Sequence, residues 1–190
     1  TGRLAVPMAA AGLQVTGIDS SEAMLEKLAE RDTDRRVDAI LGDMVDDLPD
    51  GPFDAVLVAY NTIFNLVADG DQQRLFHEVA RRLGPGGVFV AEAFVPDVHP
   101  DGSASMIDIR SMAVDHVVLS VSSHRHDDQR AEGQVILLSE SGGVRLRPWS
   151  IRWATPVQRD ALAPAAGVRG AGRWSDRGGA PVTDGRTREG

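Results

Sequence analysis

The amino-acid sequence predicts an α/β fold with a doubly wound, mostly parallel sheet and an antiparallel β meander in its C-terminal half. Apolar strand-like runs alternate with helix-like segments over residues 1–95. Such alternation is typical of parallel strands whose connecting helices cover both faces of the sheet. Beyond Pro96, three strand-like segments follow one another with only polar turns between them. This change of pattern predicts antiparallel strands added to the parallel part.

Four strands and three helices are predicted in the parallel part. The strand candidates are residues 15–18, 37–41, 53–60 and 88–94. One helix-like segment covers residues 4–11, a second begins after Ser20, and a third covers residues 71–83 with its apolar residues on one face. The Gly-Pro-Gly-Gly sequence of residues 84–87 predicts a turn that separates the last helix from the last strand.

The strand candidates of the C-terminal half are residues 114–122, 132–139 and 144–154. In the last of them, Trp149, Ile151 and Trp153 alternate with polar residues, which is the pattern of a half-buried strand. A helix should follow, because Thr155 is a good N-cap with a proline next to it. We expect Pro164 to cut that helix short.

These elements predict a single domain over residues 1–166. Within it we expect a cofactor-binding part (1–96), a β insertion that forms a substrate wall (97–154) and a C-terminal helix (155–166). Residues 167–190 contain few apolar side chains and many Gly, Arg, Asp and Ser residues. That composition predicts a poorly ordered tail.

Composition excludes several classes of function. The 190 residues carry a net charge of −8, which argues against nucleic acid as a general partner. No apolar run approaches the ~20 residues that span a membrane, and with no cysteine the chain forms no disulfide. We therefore expect a cytoplasmic globular protein that acts on a small molecule.

Polar side chains follow three of the predicted parallel strands at the same edge of the sheet. Asp19 and Ser20 follow the first strand, Asp43 and Met44 the second, and the pair Tyr60 and Asn61 the third. Ligands of open α/β sheets bind at this edge. A carboxylate such as Asp19 accepts ribose hydroxyls, while Asp43 is placed to accept an adenine amine with Met44 packed on the base. The competing interpretations are a helix-capping role for Asp19 and ordinary turns for the other two positions.

Metal binding is not expected. His116, His124 and His126, with the acids Asp127 and Asp128, are the possible ligands, but no well-spaced third ligand is present. Two of these histidines lie near a predicted hairpin turn, where polar residues occur without any metal.

Five short motifs, in this order and spacing, resemble the class I S-adenosylmethionine-dependent methyltransferases. They are Thr1-Gly2-Arg3, Gly17-Ile18-Asp19-Ser20-Ser21, Leu41-Gly42-Asp43-Met44, Phe53-Asp54 and Leu83-Gly84-Pro85-Gly86-Gly87. The resemblance implies a Rossmann-like fold, S-adenosylmethionine as the cofactor and methyl transfer to a small molecule. It places Gly2 against the methionine part of the cofactor, Asp19 at the ribose, Asp43 and Met44 at adenine, and Tyr60 and Asn61 near the transferring methyl. Ser20 is expected among the cofactor-binding residues as well. It assigns no catalytic base.

The same resemblance implies a gap in the sheet. The family's first strand, normally central, and its earlier motif glycines are absent before Thr1, so we expect weak cofactor binding by the chain alone. Two other functions remain open at this point. One is an NAD-dependent oxidoreductase, although Lys27 is the only lysine and no Tyr-x-x-x-Lys pair exists. The other is a non-catalytic binding domain or pseudoenzyme.

Overall fold

The computed structural model describes residues 1–96, 103–176 and 178–180. The parallel part consists of α1 (Ala5–Ala10), β1 (Val15–Asp19), α2 (Glu22–Arg31), β2 (Val37–Leu41), β3 (Phe53–Val58), the 3-10 helix η1 (Thr62–Asn65), α3 (Asp71–Arg82) and β4 (Leu83–Ala91). The C-terminal half consists of β5 (Ser103–Met112), β6 (His116–Arg125), β7 (Arg130–Ser139), β8 (Gly143–Arg152) and α4 (Pro156–Ala165). The α/β fold with a parallel part and a meander is confirmed.

The parallel strands form two separate pairs. β1 pairs with β2, with Asp19 opposite Leu41, and β3 pairs with β4, with Val58 opposite Ala91. Over the described ranges no strand joins β1 to β3. The expected gap in the sheet is therefore confirmed, and each of the four parallel strands has one edge without a partner strand in the described residues.

The main hydrophobic core lies on one face of the β3–β4 pair. Its fully buried side chains are Ile63 and Phe64 of η1 and Leu75 and Val79 of α3. The helical spacing that predicted an apolar face on residues 71–83 is confirmed by this burial. On the opposite face of the pair, Leu57, Val88 and Val90 are exposed.

Trp153 anchors the meander to the parallel part. Its side chain is only 5% exposed and belongs to the main core. Polar contacts support it, since Gln72 Nε2 donates to the Arg152 carbonyl at 2.8 Å and Arg152 forms an ion pair with Asp69. The residues just beyond β8 therefore fix the position of the four-stranded sheet β5-β6-β7-β8.

The meander contains one strand more than expected. β5 was not predicted, because a bulge between Ile109 and Ser111 interrupts its pairing with β6 and breaks the alternation of polar and apolar residues. The other three strands of the meander are close to their predicted ranges.

The turn predicted at residues 84–87 is wrong in its placement. Leu83 already pairs with Phe53, and the next aligned pair is Ala55 with Val88, so the four residues form a bulge inside β4. Gly86 has φ +80°, and a Cβ on Gly87 would lie 2.9 Å from the Phe53 carbonyl oxygen. Glycine is needed here for a close approach of two strands, and no turn separates helix from strand.

Pro164 does not shorten α4, contrary to expectation. It lies inside the helix, one residue before its end, where the missing N–H group leaves a single carbonyl without its helical donor. The helix start is confirmed as a capping box between Thr155 and Gln158. Residues 167–176 and 178–180 contain no helix and no extended strand; Arg177 and residues 181–190 of the expected tail lie outside the described residues.

Asp32 fixes the connection from α2 to β2. Its side chain is 5% exposed, and its two carboxylate oxygens accept the N–H groups of Arg36 and Val37 at 3.0 and 2.8 Å. This carboxylate therefore sets where β2 begins, and with it the position of Asp43 beyond the strand's end.

The substitution Asp32→Ala should lower the free energy of unfolding by about 1–3 kcal/mol, because two backbone donors lose their acceptor inside the fold. Denaturant titration measures this loss. Asp34→Ala is the matched control, since Asp34 forms only an exposed ion pair with Arg36 and should cost less than about 1 kcal/mol. Equal losses in both variants would contradict the proposed role of Asp32.

Candidate active site

The candidate site lies at the carboxyl ends of the four parallel strands. Asp19 is the last residue of β1, and Asp43 follows β2 by two residues. Tyr60 follows β3 by two residues, and Glu92 comes directly after β4. The N–H group of Gly42 donates to the Asp19 carbonyl oxygen at 3.1 Å, so the ends of β1 and β2 remain adjacent beyond the strands.

Asp19 has one carboxylate oxygen committed to local structure. Its Oδ1 accepts the Ser21 N–H group at 3.0 Å and closes the turn into α2. Its Oδ2 accepts no hydrogen bond from any described residue, and the side chain is half-buried. Ser20 is exposed beside it. A helix-capping role through Oδ1 is thus compatible with a ligand-binding role through Oδ2.

Asp43 has the same divided arrangement. Its Oδ1 accepts the N–H groups of Val45 and Asp46 at 2.7 and 3.1 Å, so it is a turn residue, while Oδ2 accepts no hydrogen bond in the described part of the chain. The Asp43 N–H group donates to Asp47 Oδ2 at 2.8 Å. Met44 next to it is half-buried and packs against the main core.

The turn at Tyr60 and Asn61 is strained. Both residues have left-handed backbones, with φ of +59° and +64°. Left-handed conformations cost free energy in residues other than glycine, and they cluster at functional sites. β3 ends at Val58, two residues earlier than predicted, because these conformations cannot continue a strand.

Three hydrogen bonds hold this strained turn against the end of β4. The Tyr60 N–H group donates to Glu92 Oε2 at 3.0 Å, and the Asn61 N–H group donates to the Glu92 carbonyl at 3.0 Å. The Asn61 Oδ1 atom in turn accepts the Phe94 N–H group at 2.7 Å. We call these four residues, Tyr60, Asn61, Glu92 and Phe94, the turn clamp. The clamp fixes the direction of the exposed Tyr60 side chain.

Arg3 connects the N-terminal segment to the turn clamp. Its guanidinium carbon lies 4.2 Å from the centroid of the Tyr60 ring, within the range of a cation–π contact. The preceding Gly2 is buried at φ +69°, and a Cβ there would lie 2.8 Å from Val6 Cγ2. Gly2 thus lets the chain enter α1 tightly, and Arg3 reaches across the gap between β1 and β3.

Sequence reasoning missed three residues at this end of the sheet. Glu92 follows a strand as Asp19 does, so the rule that selected Asp19 could have selected it. The Arg3 contact with Tyr60 joins residues far apart in sequence and carries no sequence signal. Arg159 of α4 lies with its guanidinium carbon 5.7 Å from the Phe64 ring centroid. Burial lowers the pKa of Arg159, and its Nε atom has no hydrogen-bond partner in the described part of the chain.

Among the residues that the structure describes, no helix is long and apolar enough to cross a membrane. No group of three or more of the described His, Asp and Glu side chains is arranged to hold a metal ion.

Comparisons with known proteins agree with this architecture. A methyltransferase-domain family matches residues 1–87. The cypemycin N-terminal methyltransferase of a Streptomyces species is 28% identical over 193 residues, which covers 100% of this chain and 77% of that protein. The CcbJ methyltransferase structure from Streptomyces caelestis is 31% identical with a TM-score of 0.87, covering 96% of this chain and 74% of that one. The sugar N-methyltransferase KedS8 from a Streptoalloteichus species is 27% identical with a TM-score of 0.58, covering 80% and 62%.

The fold, the strand-end carboxylates and these relatives define a methyltransferase. The chain belongs to the class I S-adenosylmethionine-dependent methyltransferase family. Its cofactor is therefore S-adenosylmethionine, and the comparisons give no support to an NAD-dependent oxidoreductase.

The residues present fit this cofactor. Asp19 and Asp43 each keep one carboxylate oxygen outside the hydrogen bonds of the described chain, at the ends of two paired strands. Ribose hydroxyls and the adenine amine are hydrogen-bond donors, and carboxylates are acceptors only. The donor and acceptor chemistry is therefore complementary.

The strain at Asn61 can be measured with two substitutions. Asn61→Ala and Asn61→Gly both remove the amide oxygen that accepts the Phe94 N–H group. The alanine variant keeps the free-energy penalty of a left-handed backbone, whereas the glycine variant does not. Glycine also gives the unfolded chain more entropy, which offsets part of this gain. The alanine variant should therefore be less stable than the glycine variant by about 1 kcal/mol. Denaturant titration of both variants tests this order. An alanine variant at least as stable as the glycine variant would show that the turn stores no strain.

Proposed function

We propose that this enzyme methylates an amine nitrogen of a small molecule. The observation that carries the proposal is the set of side chains at the strand ends. Among the described residues these are the carboxylates of Asp19, Asp43 and Glu92 with the phenol and amide of Tyr60 and Asn61, and no histidine stands among them. A hydroxyl acceptor needs a base to remove its proton, and histidine is the commonest one, whereas a neutral amine attacks through its own lone pair.

The named activities of two relatives support an amine acceptor. One relative is named an N-terminal methyltransferase and another a sugar N-methyltransferase. A terminal amine of a peptide and the amine of an amino sugar share the reacting group and little else. The common chemistry is therefore the nitrogen nucleophile, and we assign that to the present chain.

In this proposal the first strand pair holds the cofactor. Asp19 accepts the ribose hydroxyls with Ser20 beside it, Asp43 accepts the adenine amine, and Met44 packs near the base. Gly2 keeps the backbone close to the methionine part of the cofactor. When bound, S-adenosylmethionine supplies an electrophilic methyl group on its sulfonium sulfur.

The turn clamp positions the acceptor. Tyr60 and Asn61 face the acceptor, and orientation of the reacting atoms in a site that excludes water supplies most of the rate. The Glu92 carboxylate adds negative charge next to Tyr60, which favours a basic nitrogen over an anionic acceptor. The end of the four-stranded sheet nearest Trp153 forms one wall of the acceptor site.

Substitution of Asp19 tests the cofactor site. Asp19→Ala should weaken the binding of S-adenosylhomocysteine by about 1.5–3 kcal/mol, the range for hydrogen bonds to charged groups. Calorimetric titration measures the affinity, in this chain and in a version extended upstream of Thr1. Asp38→Ala is the matched control, because Asp38 is exposed within β2 and away from the strand end. Unchanged affinity in Asp19→Ala would remove this carboxylate from the cofactor site.

The acceptor class is tested with matched probes that differ only at the reacting group. Glucosamine is paired with glucose, and a short peptide with its N-acetylated form. With a ¹³C-methyl-labelled cofactor, NMR should detect labelled N-methyl groups in the amine-bearing member of a pair and none in its partner. Label on glucose or on the acetylated peptide would contradict the proposal.

A further inference from the structure

Arg159 of α4 is a cation on the side of its helix that packs against the main core. Leu162 and Ala163, three and four residues later, contact that core, and residues at this spacing share one face of a helix. The Arg159 guanidinium carbon lies 5.7 Å from the centroid of the Phe64 ring, which is fully buried. The Arg159 side chain is half-buried. A positive charge thus stands among apolar side chains.

This charge has no anionic partner in the described part of the chain. The Nε atom of Arg159 is buried without a hydrogen-bond partner among the described residues. The neighbouring carboxylate of Asp160 is engaged by Arg173, whose Nε donates to Asp160 Oδ2 at 2.8 Å. Burial lowers the pKa of Arg159, because the charged form has lost part of its hydration. A cation that is partly buried and unpaired costs free energy, so a ligand that supplied an anion here would recover it.

The backbone that carries Arg159 is held firmly. It follows the capping box between Thr155 and Gln158 at the start of α4. The side-chain amides of Gln129 and Gln158 also exchange two hydrogen bonds, at 2.7 and 3.0 Å. The Gln129 carbonyl accepts the Trp153 N–H group at 2.9 Å, which ties the same point to the end of β8. The guanidinium is therefore presented from a preorganised helix start.

A chain of two ring contacts joins Arg159 to the turn clamp. The Phe64 ring, on which the guanidinium lies, meets the Phe94 ring edge-on with centroids 5.0 Å apart. Phe94 is 41% exposed, and its N–H group belongs to the turn clamp. Within that clamp, Glu92 Oε2 accepts the Tyr60 N–H group at 3.0 Å. A positive group and a negative group thus lie at the two ends of one chain of contacts.

We propose that Arg159 binds a carboxylate of the acceptor, so that the acceptor is an amino acid or another amine that carries a carboxylate. This assignment rests on the amine acceptor proposed above. A guanidinium presents its N–H groups in a fork that matches a carboxylate, and partial removal from water strengthens their attraction. The amine end of the acceptor lies toward Tyr60 and Glu92, and its carboxylate reaches Arg159. A zwitterion is complementary to both charges at once.

Amines that differ only in the charge of their far end test this proposal on the full chain. Glycine, 4-aminobutyrate and 6-aminohexanoate are each compared with their primary amides as acceptors of a ¹³C-labelled methyl group. In the wild type at least one acid should have a kcat/KM roughly 10–100-fold above that of its amide, the range for hydrogen bonds to a charged group. Arg159→Leu should remove this preference. Arg169→Leu is the matched control, because it removes the same charge from an exposed residue beyond α4, and it should keep the preference.

Binding is measured separately, by NMR of the chain with its arginines labelled with ¹⁵N at Nε. The Arg159 Nε–H resonance is assigned by its loss in Arg159→Leu. With S-adenosylhomocysteine present, this resonance should shift on addition of at least one of the three acids and with none of the amides. A resonance that none of the acids moves would overturn the proposal.

The remaining outcomes separate this proposal from the amine acceptor itself. Equal rates for each acid and its amide, with the label on nitrogen, would overturn the carboxylate site and leave N-methylation intact. Label that never reaches nitrogen would overturn the amine acceptor, while a shifted Arg159 resonance would still support carboxylate binding. Thermal unfolding should show Arg159→Leu at least as stable as the wild type, because leucine removes an unpaired charge from apolar surroundings. Lower stability with an unchanged preference for the acid would assign the guanidinium to the fold and overturn the proposal.

Discussion

Within the described residues the parallel strands hydrogen-bond only as two separate pairs, β1 with β2 and β3 with β4, and this division constrains the rest of the structure. Asp19 and Asp43, which we propose hold the cofactor, lie at the ends of one strand pair, and the turn clamp lies at the end of the other. Because no strand hydrogen bonds join the pairs within the described residues, side-chain contacts such as Arg3 on Tyr60 connect them. A ligand that contacts both pairs also holds them together. A ligand that binds the folded chain and not the unfolded chain also adds to the stability of the fold.

In the function we propose, each strand-end carboxylate both stabilises a turn and binds the cofactor. Asp19 and Asp43 both use Oδ1 to hold a turn and leave Oδ2 outside the hydrogen bonds of the described chain. The turn bonds fix the rotation of the carboxylate before any ligand arrives. A carboxylate whose side chain is already fixed loses little conformational entropy when it accepts a hydrogen bond from a ligand. This is the main benefit of holding a ligand with short side chains.

Much of the parallel part could be predicted from the sequence, since β2 and α3 are defined by local apolar patterns and the site follows from strand order. The missed features depend on contacts between distant residues. The bulge in β5 interrupts its alternation of polar and apolar residues. The glycines of residues 84–87 permit a close approach of two strands, but the same glycines are equally typical of a turn. The left-handed backbones of Tyr60 and Asn61 are stabilised by Glu92 and Phe94, which lie about thirty residues later. No local propensity reports such a clamp.

The left-handed backbone at Tyr60 restricts how this enzyme can evolve toward new substrates. Many enzymes change specificity by varying the residue that faces the acceptor, but Tyr60, to which we assign that position in our proposal, has φ +59°. Valine, isoleucine and threonine are strongly disfavoured in that conformation, so these substitutions at Tyr60 should lower the stability of the fold. New pockets for an acceptor must therefore be formed by neighbouring residues whose backbones lie outside the left-handed region. Directed evolution should therefore begin at a neighbouring position such as Phe94, whose side chain is 41% exposed and whose backbone N–H alone belongs to the turn clamp.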